Sequence, residues 1–266
     1  MSESSPFLNG QHAKEGSGIV PEPSAVRIKI CGLQDVEVLK SMIPLPIDYI
    51  GFVFARSKRQ IDRERAAELL EVLKRWHGQA PQSVGVFVNP TLDELLHITA
   101  VAPLDVIQLH GSETPAFCRE VRATLQVQVI KVISIAAQVD SEGADHSATL
   151  SDTVTGTSDR LHADKAAAAK LAPYEGAVDA FLLDTHDPLY GGGSGKTFAW
   201  DGITPYHRWT EAHDIPLLIA GGLSPDNVHE LVGGYPLEGI DVSSGVETDG
   251  VKDIDKIKRF VERARA

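Results

Sequence analysis

Short apolar runs alternate with longer amphipathic stretches along the chain from Val26 onward. Eight of these runs are rich in β-branched residues and leucine and are bounded by turn residues, as buried strands are. The predicted strands cover residues 26–31, 49–54, 83–88, 106–110, 127–135, 180–185, 217–222 and 239–244. Amphipathic stretches between them predict helices, among them residues 62–76 and a final helix at 253–264.

Helix start signals fall between the predicted strands. Thr91 and Glu94 have the spacing of a capping box, and the Thr114-Pro115 and Ser224-Pro225 pairs each place a hydroxyl before a proline. Strands that alternate with helices pair in parallel through right-handed crossovers. Eight such units over residues 26–266 predict one (β/α)8 TIM barrel domain, and an open doubly wound parallel sheet is the alternative.

Two segments interrupt this rhythm. Residues 1–25 are polar and lack periodicity, which predicts a disordered N-terminal tail. Residues 138–165 form a polar insertion after the fifth strand. A loop of that length is a lid or a disordered insertion, and its composition favours disorder.

Composition and charge exclude several classes of protein. The chain of 266 residues is 42% hydrophobic and 23% charged, as globular proteins are, and its net charge of −12 disfavours nucleic acid or anionic membrane as partner. No apolar run reaches the ~20 residues of a membrane span, and the N-terminus lacks the apolar core of a secretory signal. Cys31 and Cys118 alone form neither a metal cluster nor a disulfide framework, so a cytoplasmic location is expected.

The alternation within each strand predicts which side chains face the barrel axis. In the first strand Ile28 and Ile30 should face the helices, which directs the polar set inward. The inward set predicted in this way comprises Arg27, Lys29, Cys31, Gln108, His110, Lys131, Asp184, Asp241 and Ser243. Buried charges need partners, so the two lysines are expected to compensate the two aspartates. Cys31, His110 and Asp184 are the last or nearly last residues of their strands, where polar residues of this fold are typically catalytic.

Glycine-rich turns follow the last two strands. Gly221-Gly222 follows strand seven, and Ser243-Ser244-Gly245 follows strand eight. Barrels often bind phosphate between these two loops, where backbone N–H groups approach the anion closely. The two motifs together predict a phosphate site.

The segment Y-G-G-G-S-G-K-T-F-A-W (190–200) superficially resembles a nucleotide phosphate loop. A Walker loop requires glycine five positions before the glycine of its G-K pair. Here Tyr190 occupies that position relative to Gly195-Lys196. Because the segment follows strand six, we interpret it as a mobile lid over a sugar phosphate, with Lys196 as a counter-charge.

An ordered set of motifs resembles phosphoribosylanthranilate isomerase, an enzyme of tryptophan synthesis. The motifs are K-I-C-G-L (29–33), G-F-V-F-A-R-S-K-R-Q-I (51–61), V-G-V-F-V-N (84–89), I-Q-L-H-G (107–111), L-L-D-T (182–185), the glycine segment 190–200, A-G-G-L-S-P-D-N-V (220–228) and D-V-S-S-G-V-E (241–247). The resemblance implies an Amadori rearrangement of N-(5-phosphoribosyl)anthranilate to 1-(2-carboxyphenylamino)-1-deoxyribulose 5-phosphate, without metal or cofactor. It also implies a link to other tryptophan-pathway enzymes, because some fungal members are fused to them.

The resemblance implies residue roles. Asp184 matches the acid that opens the ribose ring, and Cys31 matches the base, whose thiolate Lys29 should favour by lowering its pKa. Arg59 matches the arginine that holds the anthranilate carboxylate, a task suited to its bidentate guanidinium. Gln108, His110 and Asp241 are expected to bind substrate, and Gly221, Gly222, Ser243, Ser244 and Gly245 to bind phosphate.

Two positions depart from the family pattern, and two rival functions can be weighed against it. Ala55-Arg56 shortens the segment before Arg59, and Gln34 stands where threonine is common. One rival is the histidine-pathway aminoaldose isomerase, which uses paired aspartates, but strand one here ends in Cys31. The other is a barrel that binds a sugar phosphate without catalysis.

Overall fold

Eight parallel strands close into a barrel in the computed structural model, which describes residues 26–136, 155–186 and 200–266. Strand β1 pairs with both β2 and β8, so the sheet is not an open doubly wound one. The strands are β1 (Arg27–Cys31), β2 (Tyr49–Val53), β3 (Gln82–Phe87), β4 (Val106–Leu109), β5 (Gln128–Ala136), β6 (Ala180–His186), β7 (Leu217–Ala220) and β8 (Gly239–Val242). All eight predicted strands are confirmed.

Helices connect the strands around the outside of the barrel. They are α1 (Val36–Met42), α2 (Arg63–Leu73), α3 (Leu92–Thr99), α4 (Pro115–Leu125), α5 (Thr155–Leu171), α6 (Thr204–Ala212), α7 (Val228–Gly234) and α8 (Ile254–Arg265). The predicted capping box of Thr91 and Glu94 is present, and Thr114 caps α4 ahead of its proline. Among the described residues, no helix is both long and apolar enough to cross a bilayer.

The Ser224-Pro225 signal is displaced from the helix that it was expected to start. Ser224 opens a turn in which its hydroxyl accepts from the Asp226 N–H, and α7 begins only at Val228. The Asn227 side chain accepts from Ser224 N–H and donates to the Gly222 carbonyl. The turn therefore shapes the loop after β7.

The predicted disorder of residues 138–165 is wrong for residues 155–165, which belong to α5. Alanine has the highest helix propensity, and the run at residues 166–169 favours a helix without an amphipathic pattern. Ala167 and Leu171 are fully buried and attach the helix to the barrel. The rest of that insertion, the tail 1–25 and residues 190–199 of the glycine segment, which include Lys196, lie outside the described residues.

Two apolar layers separate the barrel interior from the helical shell. The interior layer contains Tyr49, Val84, Val106, Ile130, Val132, Ala180, Leu182, Leu218 and Ala220. The larger outer layer, which includes Ile28 and Ile30, packs between sheet and helices. The predicted parity is confirmed for β1, where the isoleucines face outward.

The parity predicted for β5 is wrong. Ile130 and Val132 face the interior, and Lys131 therefore points outward. Its ammonium donates to the carbonyls of Leu109 and Gly111 and to the Glu113 carboxylate at 2.8 Å. A buried ammonium is stable only where hydrogen-bond acceptors and a counter-charge surround it. Here the end of β4 and the β4–α4 loop supply both outside the barrel interior. Lys131 consequently compensates neither Asp184 nor Asp241.

Candidate active site

A cavity of about 360 Å³ opens at the carboxyl ends of the strands. Its lining includes Cys31, Arg59, Gln108, His110, Asp184, Asp241, Gly221, Gly222, Ser243 and Ser244. Ten of the eleven predicted site residues thus share one cavity, and the remaining one, Gly245, is not part of its lining. A larger cavity, about 520 Å³, opens at the amino ends around Arg27 and Trp76 and contains none of them. Active sites of this fold lie at the carboxyl ends, so the smaller cavity is the candidate.

Cys31 lies above a buried ion pair in the barrel interior. Lys29 is fully buried and donates to Asp241 at 3.0 Å. Burial alone would lower the Lys29 pKa, but Asp241 and Cys31 beside it outweigh burial and raise the pKa. Lys29 therefore remains cationic beneath the cysteine, and the predicted compensation of Lys29 is confirmed with Asp241.

Burial dominates the ionisation of the Cys31 thiol. Desolvation, the largest effect, raises the thiol pKa, and the negative charge of Asp241 raises it as well. The positive charges of Lys29 and Lys252 lower it. The net direction is upward. Lys29 acts in the predicted direction, and desolvation outweighs it together with the other cation.

Asp184 faces His110 across the cavity mouth. The Asp184 Oδ2 lies 3.2 Å from His110 Nε2, and both side chains are partly exposed to the cavity. Asp184 follows Leu182 on the inward face of β6, while Leu183 belongs to the outer layer. A carboxyl group at this position has a hydrogen-bond partner that can share its proton and remains accessible to a bound molecule.

Gln108 presents an unused acceptor near the same cavity. Its side-chain oxygen is buried and has no hydrogen-bond partner among the described residues. Burying an amide oxygen without a donor is costly, so a donor from a ligand or a water is expected there. This geometry fits the substrate-binding assignment made for Gln108 from the sequence.

Two loops meet beside the cavity. Gly221 and Gly222 adopt positive φ angles of 94° and 65°, which favour glycine. Gly245 packs so closely on the β7 loop that an added Cβ would lie 1.8 Å from the Leu223 oxygen. A glycine is therefore needed at residue 245 for the contact between the two loops. The hydroxyl of Ser243 donates to the Cys31 carbonyl and joins this region to β1.

Arg59 reaches the cavity from the loop after β2. The Gln34 side chain donates to the carbonyls of Lys58 and Gln60 and so anchors this loop to the start of α1. A Cβ at Gly32, where φ is +83°, would lie 2.5 Å from Arg59 Cδ. The glycine thus makes room for the arginine stem over the end of β1, and both departures from the family pattern are compatible with a guanidinium in the cavity.

Sequence reasoning assigned no role to Glu247, which binds Arg59, or to Lys252, which binds Glu247. Glu247 and Lys252 belong to a hairpin of β9 (Glu247–Thr248) and β10 (Val251–Lys252). Asp249 and Gly250 have φ angles of 52° and 82°, as a two-residue hairpin turn requires. The D-G pair between V-E-T and V-K was the available sequence signal.

The fold and the cavity define the class as a (β/α)8 barrel enzyme with acid–base groups at the carboxyl ends of its strands. Residues 28–263 match the family model for N-(5'phosphoribosyl)anthranilate (PRA) isomerase. The chain belongs to this family. The aminoaldose isomerase alternative is therefore wrong.

Relatives and solved structures agree with this membership. The N-(5'-phosphoribosyl)anthranilate isomerase of Brevibacillus brevis is 43% identical over 240 residues, covering 90% of this chain and 94% of the relative. The crystal structure of phosphoribosyl anthranilate isomerase from Thermotoga maritima superposes with a TM-score of 0.65 at 31% identity, covering 90% and 98% of the two chains. A further phosphoribosyl anthranilate isomerase structure, in complex with reduced 1-(o-carboxyphenylamino)-1-deoxyribulose 5-phosphate, is 29% identical with a TM-score of 0.62 and the same coverage.

Proposed function

We propose that this chain catalyses the Amadori rearrangement of N-(5-phosphoribosyl)anthranilate to 1-(2-carboxyphenylamino)-1-deoxyribulose 5-phosphate in tryptophan biosynthesis. The observation that carries the proposal is the convergence of Cys31 and Asp184 on one cavity in a member of this family. The reaction requires an acid that opens the ring and a base that removes a carbon-bound proton. General acid–base groups typically contribute ~10²–10⁴-fold each.

Asp184 is the proposed general acid. It protonates the ribose ring oxygen, the bond from that oxygen to C1′ breaks, and the nitrogen lone pair forms a Schiff base. The carboxylate left behind faces His110 at 3.2 Å, which gives it a hydrogen-bond partner after proton transfer. The partial exposure of both side chains to the cavity supports direct contact with the substrate.

Cys31 is the proposed general base. Its thiolate removes the C2′ proton, the C–H electron pair forms the C1′–C2′ double bond, and the Schiff base becomes an enolamine. Tautomerisation moves the enol proton off oxygen and adds a proton at C1′, which gives the ketone with all atoms conserved. Lys29 stabilises the thiolate from below, against the desolvation that raises the thiol pKa.

The remaining residues bind the two anionic ends of the substrate. Arg59 holds the anthranilate carboxylate, and Gln108, His110 and Asp241 line the space for the sugar. The phosphate binds between the loops after β7 and β8, at Gly221, Gly222, Ser243, Ser244 and Gly245. The positive φ angles at the first two glycines support close backbone approach to an anion.

A cytoplasmic location suits this mechanism, because a catalytic thiol must stay reduced. Cys31 and Cys118 are both free and buried. A link to other enzymes of the tryptophan pathway stays a prediction.

Turnover of freshly made N-(5-phosphoribosyl)anthranilate by the purified chain tests the function. Consumption is followed as the loss of anthranilate-type fluorescence, and the product, an isomer of equal mass, is identified by its ketone. Saturable conversion to the ketose supports the proposal. Binding of the substrate without conversion would instead favour a non-catalytic sugar-phosphate-binding barrel.

A further inference from the structure

Glu247 lies between two cations at the edge of the cavity. Its Oε1 accepts from Arg59 Nε at 2.6 Å and its Oε2 accepts from Arg59 Nη2 at 2.8 Å, a bidentate pair. Its Oε1 also accepts from Lys252 Nζ at 2.5 Å. One carboxylate therefore orders two cations, and the triad keeps a net charge of +1.

The Glu247 carboxylate is rigidly held and poorly solvated. Its side chain is 7% exposed and that of Lys252 is 5% exposed, whereas that of Arg59 is 29% exposed. The hydrogen bonds from Arg59 and Lys252 hold the Glu247 pKa below its ordinary value against burial, which would raise it. Glu247 therefore stays anionic, and only the arginine reaches the open cavity.

We propose that Glu247 is a positioning residue that orients the Arg59 guanidinium for the carboxylate of the substrate, an inference that rests on the proposed function. The bidentate pair fixes one edge of the guanidinium, which comprises Nε and Nη2. Nη1 lies on the other side and is available to the substrate. A long side chain ordered before binding does not lose its rotamer freedom on binding, so the preordered arginine raises affinity. The remaining positive charge of the triad attracts the substrate carboxylate.

Lys252, rather than the Glu247 carboxylate, forms the hydrogen bonds to the phosphate loop after β8. The positioning of Arg59 by Glu247 can therefore be tested separately from the support of that loop. Lys252 Nζ also donates to the Ser243 carbonyl at 2.9 Å and lies 3.3 Å from the Ser243 hydroxyl. Both acceptors belong to Ser243 and remain in place without Glu247. Replacing Glu247 by glutamine should therefore disturb Arg59 much more than Ser243.

A double-mutant cycle over Glu247→Gln and Arg59→Ala tests the inference. We expect E247Q to raise KM roughly 10- to 100-fold with a smaller change in kcat, since a small displacement of a binding group costs up to ~10²-fold. In the R59A background the same substitution should add less than about twofold, because its target is already absent. Inhibition of E247Q by inorganic phosphate should match that of the wild type.

Glu68→Gln is the matched control, because it breaks the exposed Arg65–Glu68 pair of 2.6 Å on the outer surface and should leave KM unchanged. An unchanged KM in E247Q, an equal KM increase in the R59A background, or an equal loss of phosphate inhibition would each overturn the inference. If circular dichroism shows that E247Q does not fold, Glu247→Asp carries the same cycle with the charge kept. A wild-type chain without turnover would refute the proposed function, and the inference with it.

Discussion

Removal of the buried cation beneath Cys31 is a sharp perturbation of the proposed base. Lys29→Met keeps the length and volume of the side chain but deletes its charge. In the native protein the mutual attraction of Lys29 and Cys31 raises the pKa of Lys29 and lowers that of Cys31, and Lys29 donates to Asp241 at 3.0 Å. The substitution leaves a buried thiol with no cation directly below it, so its pKa should rise further.

The Coulomb energy sets the size of the effect. At a separation of ~4 Å and an effective dielectric constant of ~20, two unit charges interact by about 4 kcal/mol. Full loss of this energy would lower the thiolate population by about a factor of 1000, since ~1.4 kcal/mol corresponds to a factor of ten. Relaxation and water entry around the altered site offset part of the loss. The expected fall in kcat/KM at pH 7 is therefore about 10- to 1000-fold.

The pH dependence of kcat/KM checks the direction. Because the base acts as the thiolate, a raised thiol pKa moves the acidic limb of the profile to higher pH, and activity recovers as the pH rises. Lys131→Met is the matched control, since Lys131 is equally buried and paired with Glu113 but lies outside the barrel interior. An acidic limb at the same pH in Lys29→Met and the wild type would refute the argument.

Three further predictions concern substrate binding, loop packing and pH-dependent stability. Arg59→Ala should raise KM by ~10²-fold with little change in kcat, the loss typical of a truncated charge pair, and steady-state kinetics that give an unchanged KM would exclude the carboxylate assignment. Gly245→Ala should weaken inhibition by inorganic phosphate and lower the melting temperature, because its Cβ would collide with the Leu223 oxygen, whereas Gly233→Ala in α7 meets no atom and should not. Burial would raise the Glu113 pKa, but the hydrogen bond from Lys131 and bonds from backbone N–H groups outweigh burial and lower it below its ordinary value of 4.5. The Glu113 carboxylate therefore stabilises the fold at pH values above 4.5, and this contribution is lost as the pH falls below that value. Thermal melts of Glu113→Gln should accordingly depend less on pH below about 4.5 than those of the wild type, and parallel curves would contradict this.

The barrel could be predicted from sequence because its strands are short, apolar and regularly spaced. The position of Cys31 followed from the alternation with Ile28 and Ile30, which must pack on helices. The same rule failed at Lys131, because alternation gives the two faces of a strand but not which face holds the acceptors for a buried amine. Strand β5 places Ile130 and Val132 in the interior, and only the position of Glu113 in the folded loop explains the outward lysine.

The site was less predictable than the fold, because the side chains that interact with one another in it come from distant segments of the chain. Arg59 and Glu247 are 188 positions apart, and only barrel closure between β1 and β8 brings their loops together. The raised thiol pKa of Cys31 likewise depends on desolvation, which no local motif reports. The part of α5 at residues 155–165 was missed because the helix has no periodic apolar pattern and the alanine run that favours it lies further on, at residues 166–169.

Comparison of Cys31→Ser with Cys118→Ser, alongside Asp184→Asn, tests the central claim most directly. Each protein is given fresh N-(5-phosphoribosyl)anthranilate, and kcat is measured from the loss of fluorescence. The account predicts that C31S and D184N each lose most of kcat, by ~10²-fold or more, while C118S retains it because Cys118 is buried in α4 away from the cavity. Full activity in C31S or in D184N would contradict the account.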